Sequence, residues 1–408
     1  MESENRFRIS EVQHLHNSIK TSLQQGGNFL VSTVHPNGPI MREENLDYVH
    51  KASWGMYATG VDKRIIWEIL DWVQKKALHL NGDFYFPTEE PEYRIMQRAY
   101  RPLTFLKVAA WIGHPLAKDK RVIERILQYQ HESGGVFHYI GEDPRNAEEQ
   151  PTIGCLDTSF FGHLMVALNK KDHAIKAGDW VRRFVETNRP YMRERGLMYT
   201  LMTPDGALVT DVTPEDKISK VVDNKDPKQQ FWQPGTAMAY LCTLYDQLRS
   251  GWGYSEKKAK PYLDDALTLL EFEETMPIYT YFWPSKCKVG WGAGELLRVS
   301  VKYAMGEELM TRAYRIAEKV AVYTFIDNQL PDGSWSCLHY PLSGTIPEVH
   351  FNYKPLKGIV NVPKSKIEGS KTIFLPAVEL SGEILGEMKA IEAGVAIHLD
   401  RLRGFEHS

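Results

Sequence analysis

The chain is poor in cysteine. Its four cysteines, Cys155, Cys242, Cys287 and Cys337, lie far apart in 408 residues and form no Cys-x-x-Cys pair. That spacing argues against a disulfide framework and against a thiolate zinc site. A surplus of charge of one sign is also lacking, since 49 Lys and Arg stand against 52 Asp and Glu. With no strongly basic tail either, there is no electrostatic case for nucleic acid or an anionic membrane as partner. No apolar run is long enough to insert stably across a bilayer. The first residues, Met1 to Arg6, are charged and lack the apolar stretch of a secretory signal, so a reducing cytoplasmic location is expected.

What is there can bury a large core: 43% of residues are hydrophobic and 25% charged. A short phrase recurs where helical stretches give way to loops. It reads Gly26-Gly27-Asn28-Phe29, Asn81-Gly82-Asp83-Phe84, Gly134-Gly135-Val136-Phe137, Asp205-Gly206-Ala207-Leu208 and Asp332-Gly333-Ser334-Trp335. A glycine followed two residues on by a large apolar side chain, returning at repeat spacing, marks one supersecondary unit used several times. The glycine is expected to end a helix at positive φ, with the apolar residue folded back against it.

Hydrophobic periodicity predicts twelve helices, near 9–25, 45–60, 63–78, 93–113, 117–131, 155–169, 171–189, 232–249, 257–273, 290–305, 307–329 and 374–402. They alternate in character. The odd members have one charged and one apolar face, whereas even members such as Gly154 to Leu168, Pro234 to Tyr245 and Gly290 to Ser300 are apolar or small nearly all round. A helix without a polar face has no solvent side, so the even members form an inner layer wrapped by the odd ones. The expectation is an all-α (α/α)6 toroid forming a single domain over residues 1–408. Inner-to-outer joins such as Thr59 to Asp62 are tight. Outer-to-inner loops near 26–44, 132–154, 190–231, 274–289 and 330–373 are long and share one rim, where binding groups usually collect.

The run Gln130 to Phe137, the glycine-rich starts of the inner helices and the segment Gln329-Leu-Pro-Asp-Gly-Ser-Trp335 resemble the α/α toroid shared by terpenoid cyclases and protein prenyltransferase β subunits. That last segment is similar to the glutamine–tryptophan repeat of triterpene cyclases. The subfamily signatures are missing: there is no Asp-x-Cys zinc pair, no Asp-x-Asp-Asp acid and no Asp-Asp-x-x-Asp, since Asp264-Asp265 lacks the third acid. The remaining resemblance is to the atypical fungal humulene synthases of tropolone sesquiterpenoid pathways. It implies an isoprenoid diphosphate substrate, farnesyl diphosphate, ionised with Mg²⁺ and an essential lysine. By position that lysine is Lys286 or Lys288, and the resemblance does not choose between them.

The residues can be weighed against such chemistry. Mg²⁺ needs hard oxygen ligands near basic groups, and Asp157, Glu295 and Asp47 sit in early turns of inner helices where an acid is costly to bury unpaired. Each could instead cap its helix or pair with a neighbour such as Arg298. Arg94, Arg98 and Arg101 share a helical face, able either to clamp diphosphate or to bridge to Glu89, Glu90 and Glu92. Trp54, Tyr57, Phe160, Phe161, Trp232, Tyr240 and Trp291 are wall candidates whose faces could stabilise a carbocation, or plain core. His50 and His163 read as hydrogen-bonded core residues.

The alternative is a carbohydrate-active (α/α)6 enzyme, a glycoside hydrolase, lyase or sugar epimerase, built on Glu132, His138, Asp143, Asp157 and Trp335. Against it, the inner helices show few polar groups for sugar hydroxyls. A non-enzymatic binding toroid is the third class, and it requires a large exposed apolar patch.

Overall fold

The computed structural model describes residues 2–36, 38–41, 44–88, 98–138, 152–214, 217–226, 231–335 and 377–404. Twelve helices build a double ring. The outer layer is α1 (Glu2–Ser32), α3 (Lys63–Lys76), α5 (Lys120–Leu127), α7 (Lys171–Arg195), α9 (Glu256–Glu274) and α11 (Glu307–Lys319). The inner layer is α2 (Leu46–Ala58), α4 (Tyr100–Ile112), α6 (Cys155–Ala167), α8 (Trp232–Asp246), α10 (Cys287–Lys302) and α12 (Ala377–Gly404).

Side-chain chemistry sorts the layers. α3 starts at Asp62, whose carboxylate accepts from the Arg64 amide, and it buries only Ile66, Ile69, Leu70 and Val73 at helical spacing. In α6 nearly every residue from Cys155 to Met165 is buried, as for a helix enclosed on all sides. Each inner helix packs on the next in the order α2, α4, α6, α8, α10, α12, and α12 returns to α2. The fold is therefore an all-α (α/α)6 toroid. No helix among the described residues is long and apolar enough to cross a membrane.

The glycine phrase has a specific structural job. Isolated bridges join Val34 to Ile40, Leu78 to Phe84, Gln130 to Val136, Met202 to Leu208 and Gln329 to Trp335. The fifth residue of each turn is a glycine, Gly38, Gly82, Gly134, Gly206 or Gly333, with φ between 87° and 99°. At four of them a Cβ would run into the backbone of the next outer helix: Glu68 of α3, Arg121 of α5, Lys176 of α7 and, after the last, Gln25 of α1. Each of these four turns thus seats one outer helix on another, and the final seat closes the ring. Gln130 and Gln329 serve equivalent seats. The Gln329 amide donates to Ser22 O and Gly333 O, both at 3.0 Å, and Gln130 donates to His173 O at 3.1 Å and Gly134 O at 2.9 Å.

Two expectations are corrected here. The first copy of the phrase is not Gly26-Gly27, which lies inside α1, but the turn containing Gly38. The glycines also occupy tight turns beyond the helices rather than helix ends. Gly26 and Gly27 are small for another reason: a Cβ at either would meet Leu385 of α12 or Thr59 after α2, so they allow α1 to approach the inner ring.

Candidate functional site

The long loops enter at the N-terminal ends of the inner helices, and there charged side chains converge. From α2, Lys51 Nζ lies 2.7 Å from Glu379 Oε1 and 2.8 Å from Glu383 Oε2, both on α12. His50 Nε2 is 3.3 Å from the same Glu379 oxygen. From α10, Lys288 pairs with Glu383 and stands 3.7 Å from Glu387. Arg101 of α4 holds Asp47 at 2.7 Å. Glu379, Glu383 and Glu387 follow at every fourth residue, which places them on one face of α12. All these groups are buried.

Charge balance follows from those contacts. Four carboxyl groups, Asp47, Glu379, Glu383 and Glu387, face three basic side chains, Arg101, Lys51 and Lys288, and burial lowers the pKa of Lys288. Burial would raise Glu379, but Lys51 and His50 hold it well below the usual carboxylate range. Burial raises Glu387 against the pull of Lys288, and it likewise raises Asp47 against the pull of Arg101. Burial lowers His50 despite Glu379, so its imidazole is neutral at neutral pH. Its Nδ1 has no hydrogen-bond partner among the described residues.

A second acid–base pair sits on the same rim. Strands β1 (Val136–Phe137) and β2 (Ile153–Gly154) pair antiparallel, and His138 N donates to Thr152 O at 3.0 Å. This brings the half-exposed His138 ring to Asp157 in the first turn of α6, with Nδ1 2.9 Å from Oδ2. Gly154 is needed at this point, since a Cβ there would collide with the Asp157 carboxylate. Burial disfavours the imidazolium, yet the Asp157 hydrogen bond outweighs it and raises the His138 pKa.

Below the charged cluster the axis is closed by rings. Trp54 of α2, Phe160 of α6 and Trp291 of α10 come from three non-neighbouring inner helices, so they can meet only at the centre. Their centroids lie 5.1 to 6.3 Å apart in edge or tilted geometry. His163 stacks on Trp291 at 4.4 Å.

The sequence candidates divide accordingly. Lys288, Asp47 and Arg101 enter the cluster, Trp232 lies under the Lys288 ammonium at 5.3 Å, and Trp54, Phe160 and Trp291 form the ring layer. Lys286 does not face the axis; it is buried against Glu273 of the outer helix α9 at 2.5 Å. Arg98 sits 3.9 Å from Asp83 in the outer layer, and Tyr240 donates to Ala174 O of α7. Phe161 is buried in the core. Tyr57 stacks on Trp111 beyond the ring layer. Trp335 is a strut of its turn, donating to Phe325 O at 2.9 Å, and Glu132 is exposed. Arg94, Glu89, Glu90, Glu92 and Asp143 lie outside the described residues.

The three acids expected to hold Mg²⁺ are not brought together. Asp47 is held by Arg101, Asp157 by His138, and Glu295 by Arg298 at 2.9 Å. Two other sets, Asp47 with His50 and Glu379, and Cys287 with Glu383 and Glu387, place potential ligand atoms within 4.8 Å of one another. Lys51, Arg101 and Lys288 stand beside these donors. Sequence reasoning missed Lys51, Glu379, Glu383 and Glu387. The signal was the four-residue spacing of acids along an otherwise apolar helix.

No protein-family model and no curated protein matches the sequence. Among solved structures, the fold is similar to that of a D-mannose isomerase, with a TM-score of 0.58 and 11% identity over 91% of this chain and 96% of that one. An unsaturated glucuronyl hydrolase specific for heparin gives 0.46 and 10%, covering 92% and 97%; an α-1,6-mannanase of Salegentibacter sp. gives 0.45 and 13%, covering 92% and 99%. At these identities the likeness is one of fold. The likeness to the D-mannose isomerase corrects the expected resemblance to terpenoid cyclases, with its humulene-type product and isoprenoid diphosphate substrate. The side chains agree: Asp157, Glu295 and Lys286, expected to act together on a diphosphate, are held apart by His138, Arg298 and Glu273.

Proposed function

We propose that the protein is a carbohydrate-active enzyme that moves protons on a sugar at the loop-bearing end of the toroid axis. Isomerisation or epimerisation is the reaction its groups suit best. The observation that carries this is the opposed shift of two imidazoles on one rim: burial lowers the His50 pKa, while the Asp157 hydrogen bond raises that of His138. Titratable groups pushed apart in this way supply a base and an acid at the same pH. In this scheme His50 accepts the proton from the carbon next to the sugar carbonyl. Lys51 and Arg101 stabilise the negative charge that develops on oxygen, and His138 delivers a proton. The fold shared with a D-mannose isomerase supports a sugar substrate. The buried polar groups also answer the main objection from sequence, the shortage of partners for hydroxyls.

The test is incubation with aldoses and ketoses, D-mannose first, in deuterated water, followed by NMR, with EDTA and Mg²⁺ arms to settle metal dependence. Interconversion with solvent deuterium at the carbon beside the carbonyl is the expected result. New reducing ends from glycosides would move the assignment to hydrolysis or lyase chemistry. Failure of every free sugar and glycoside would sink the carbohydrate reading.

A further inference from the structure

The opposite end of the axis holds a cavity that the proposed sugar chemistry does not use. It measures about 590 Å³ and opens beside the tight join at Thr59 and Gly60, with Trp111, Glu295 and Arg298 on its walls. Its volume is that of a small-molecule pocket. Its inner end is the ring layer of Trp54 and Trp291; the exposed Lys389 of α12, paired with Glu392 at 2.7 Å, stands on its wall, and a second, buried amine lies beside the rings.

That amine is Lys107 of α4. Its Nζ lies 4.1 Å from the Trp54 ring centroid, 5.0 Å from Trp291, 5.1 Å from Trp111 and 5.6 Å from Phe160. Every other deeply buried lysine, Lys51, Lys286 and Lys288, has a carboxylate within ion-pair distance. Lys107 has none among the described residues. Charged or titratable groups that face it are Glu387 of α12, Glu295 and Arg298 of α10, and His163 of α6. The two acids favour its ammonium, but burial outweighs them and lowers its pKa to about 7. A lysine desolvated in an apolar pocket is an activated nucleophile.

We propose that Lys107 is a carbonyl-reactive amine, and that the mouth opposite the long loops is a second ligand site that takes an aldehyde. The Lys107 lone pair forms the N–C bond while the carbonyl π pair moves to oxygen. The oxygen then leaves as water with the two amine hydrogens, giving C=N. Trp54, Trp111 and Trp291 supply flat apolar faces for the carbon skeleton.

The test uses benzaldehyde and a short aliphatic aldehyde with cyanoborohydride at pH 7, followed by peptide mapping. The expected outcome is one dominant adduct on Lys107, formed at least about tenfold faster than on any surface lysine, because an ordinary lysine with a pKa near 10.4 is almost wholly protonated at that pH. The adduct is absent from Lys107→Met. Trp111→Ala, which widens the mouth, controls for access. Labelling scattered over surface lysines, with Lys107 unmodified or no faster in both the native protein and Trp111→Ala, would overturn the proposal. The result needs no sugar turnover, so it stands or falls separately from the carbohydrate assignment.

Discussion

Lys51 Nζ lies 2.7 Å from Glu379 Oε1 and so ties the first inner helix to the last. The toroid is closed by this buried ion pair as much as by apolar packing. Glu379→Gln removes one of the two carboxylates on Lys51 and leaves Glu383 at 2.8 Å, so it should cost about 1.5–3 kcal/mol in urea unfolding, the range of a lost charged hydrogen bond. The double variant Lys51→Met, Glu379→Leu should cost less than Glu379→Gln alone. An equal or larger loss in the double variant would show that the pair is not the source. The pH sign follows from the depressed Glu379 pKa: its contribution is complete above the unfolded carboxylate value near 4.3 and fades as pH falls below it.

The His138–Asp157 contact makes a kinetic prediction. If His138 donates a proton, activity falls as pH rises through its pKa, which Asp157 raises. Asp157→Asn removes that support, so the alkaline limb of the kcat/KM profile should move to lower pH. His138→Asn should abolish the limb. An unmoved limb in Asp157→Asn would assign the titration to another group.

Two glycines with nearly the same backbone give a controlled comparison. Gly134 (φ 99°) and Gly206 (φ 97°) both occupy bridged turns. A Cβ at Gly134 would strike Lys176 O, whereas one at Gly206 meets nothing within 4 Å. Gly206→Ala should therefore show only backbone strain, about 1–2 kcal/mol. Gly134→Ala should lose clearly more, since α7 must lift from its seat. Matched losses in thermal or urea unfolding would mean that the seating contact is unimportant.

Lys107 carries a stability signature of its own. Its folded pKa of about 7 lies below the unfolded value, so between pH 7 and about 10 the unfolded chain binds more protons and stability rises with pH. The contribution approaches about 1.4 kcal/mol per pH unit. Lys107→Met should remove that slope and be more stable than the native protein at pH 7. Parallel stability profiles for the two proteins would show that the amine is not desolvated in the fold.

Much of this architecture could be read from the residues themselves. Apolar inner helices and one-faced outer helices follow from periodicity, because the 3.6-residue repeat and the absence of a polar face are local properties. Gly82, Gly134, Gly206 and Gly333 were legible as positive-φ glycines, since glycine adopts that backbone without strain, but not as turns lying beyond the helix ends. Gly26 and Gly27 misled for the same reason. Nothing local distinguishes a glycine that ends a helix from one that lets α1 approach Leu385 and Thr59.

The sequence by itself determined the layered toroid and the rim that gathers the long loops. Only the tertiary structure decided which charges meet. Lys286 and Lys288 are two residues apart, yet helical geometry turns one outward to Glu273 and the other to Glu383 and the axis. Glu379 meets Lys51, and Asp157 meets His138, because ring closure and the β1–β2 pairing bring distant segments together. Pairing partners, the burial that lowers the pKa values of His50 and Lys107, and the Asp157 contact that raises that of His138 depend on distances through space that no spacing along the chain specifies.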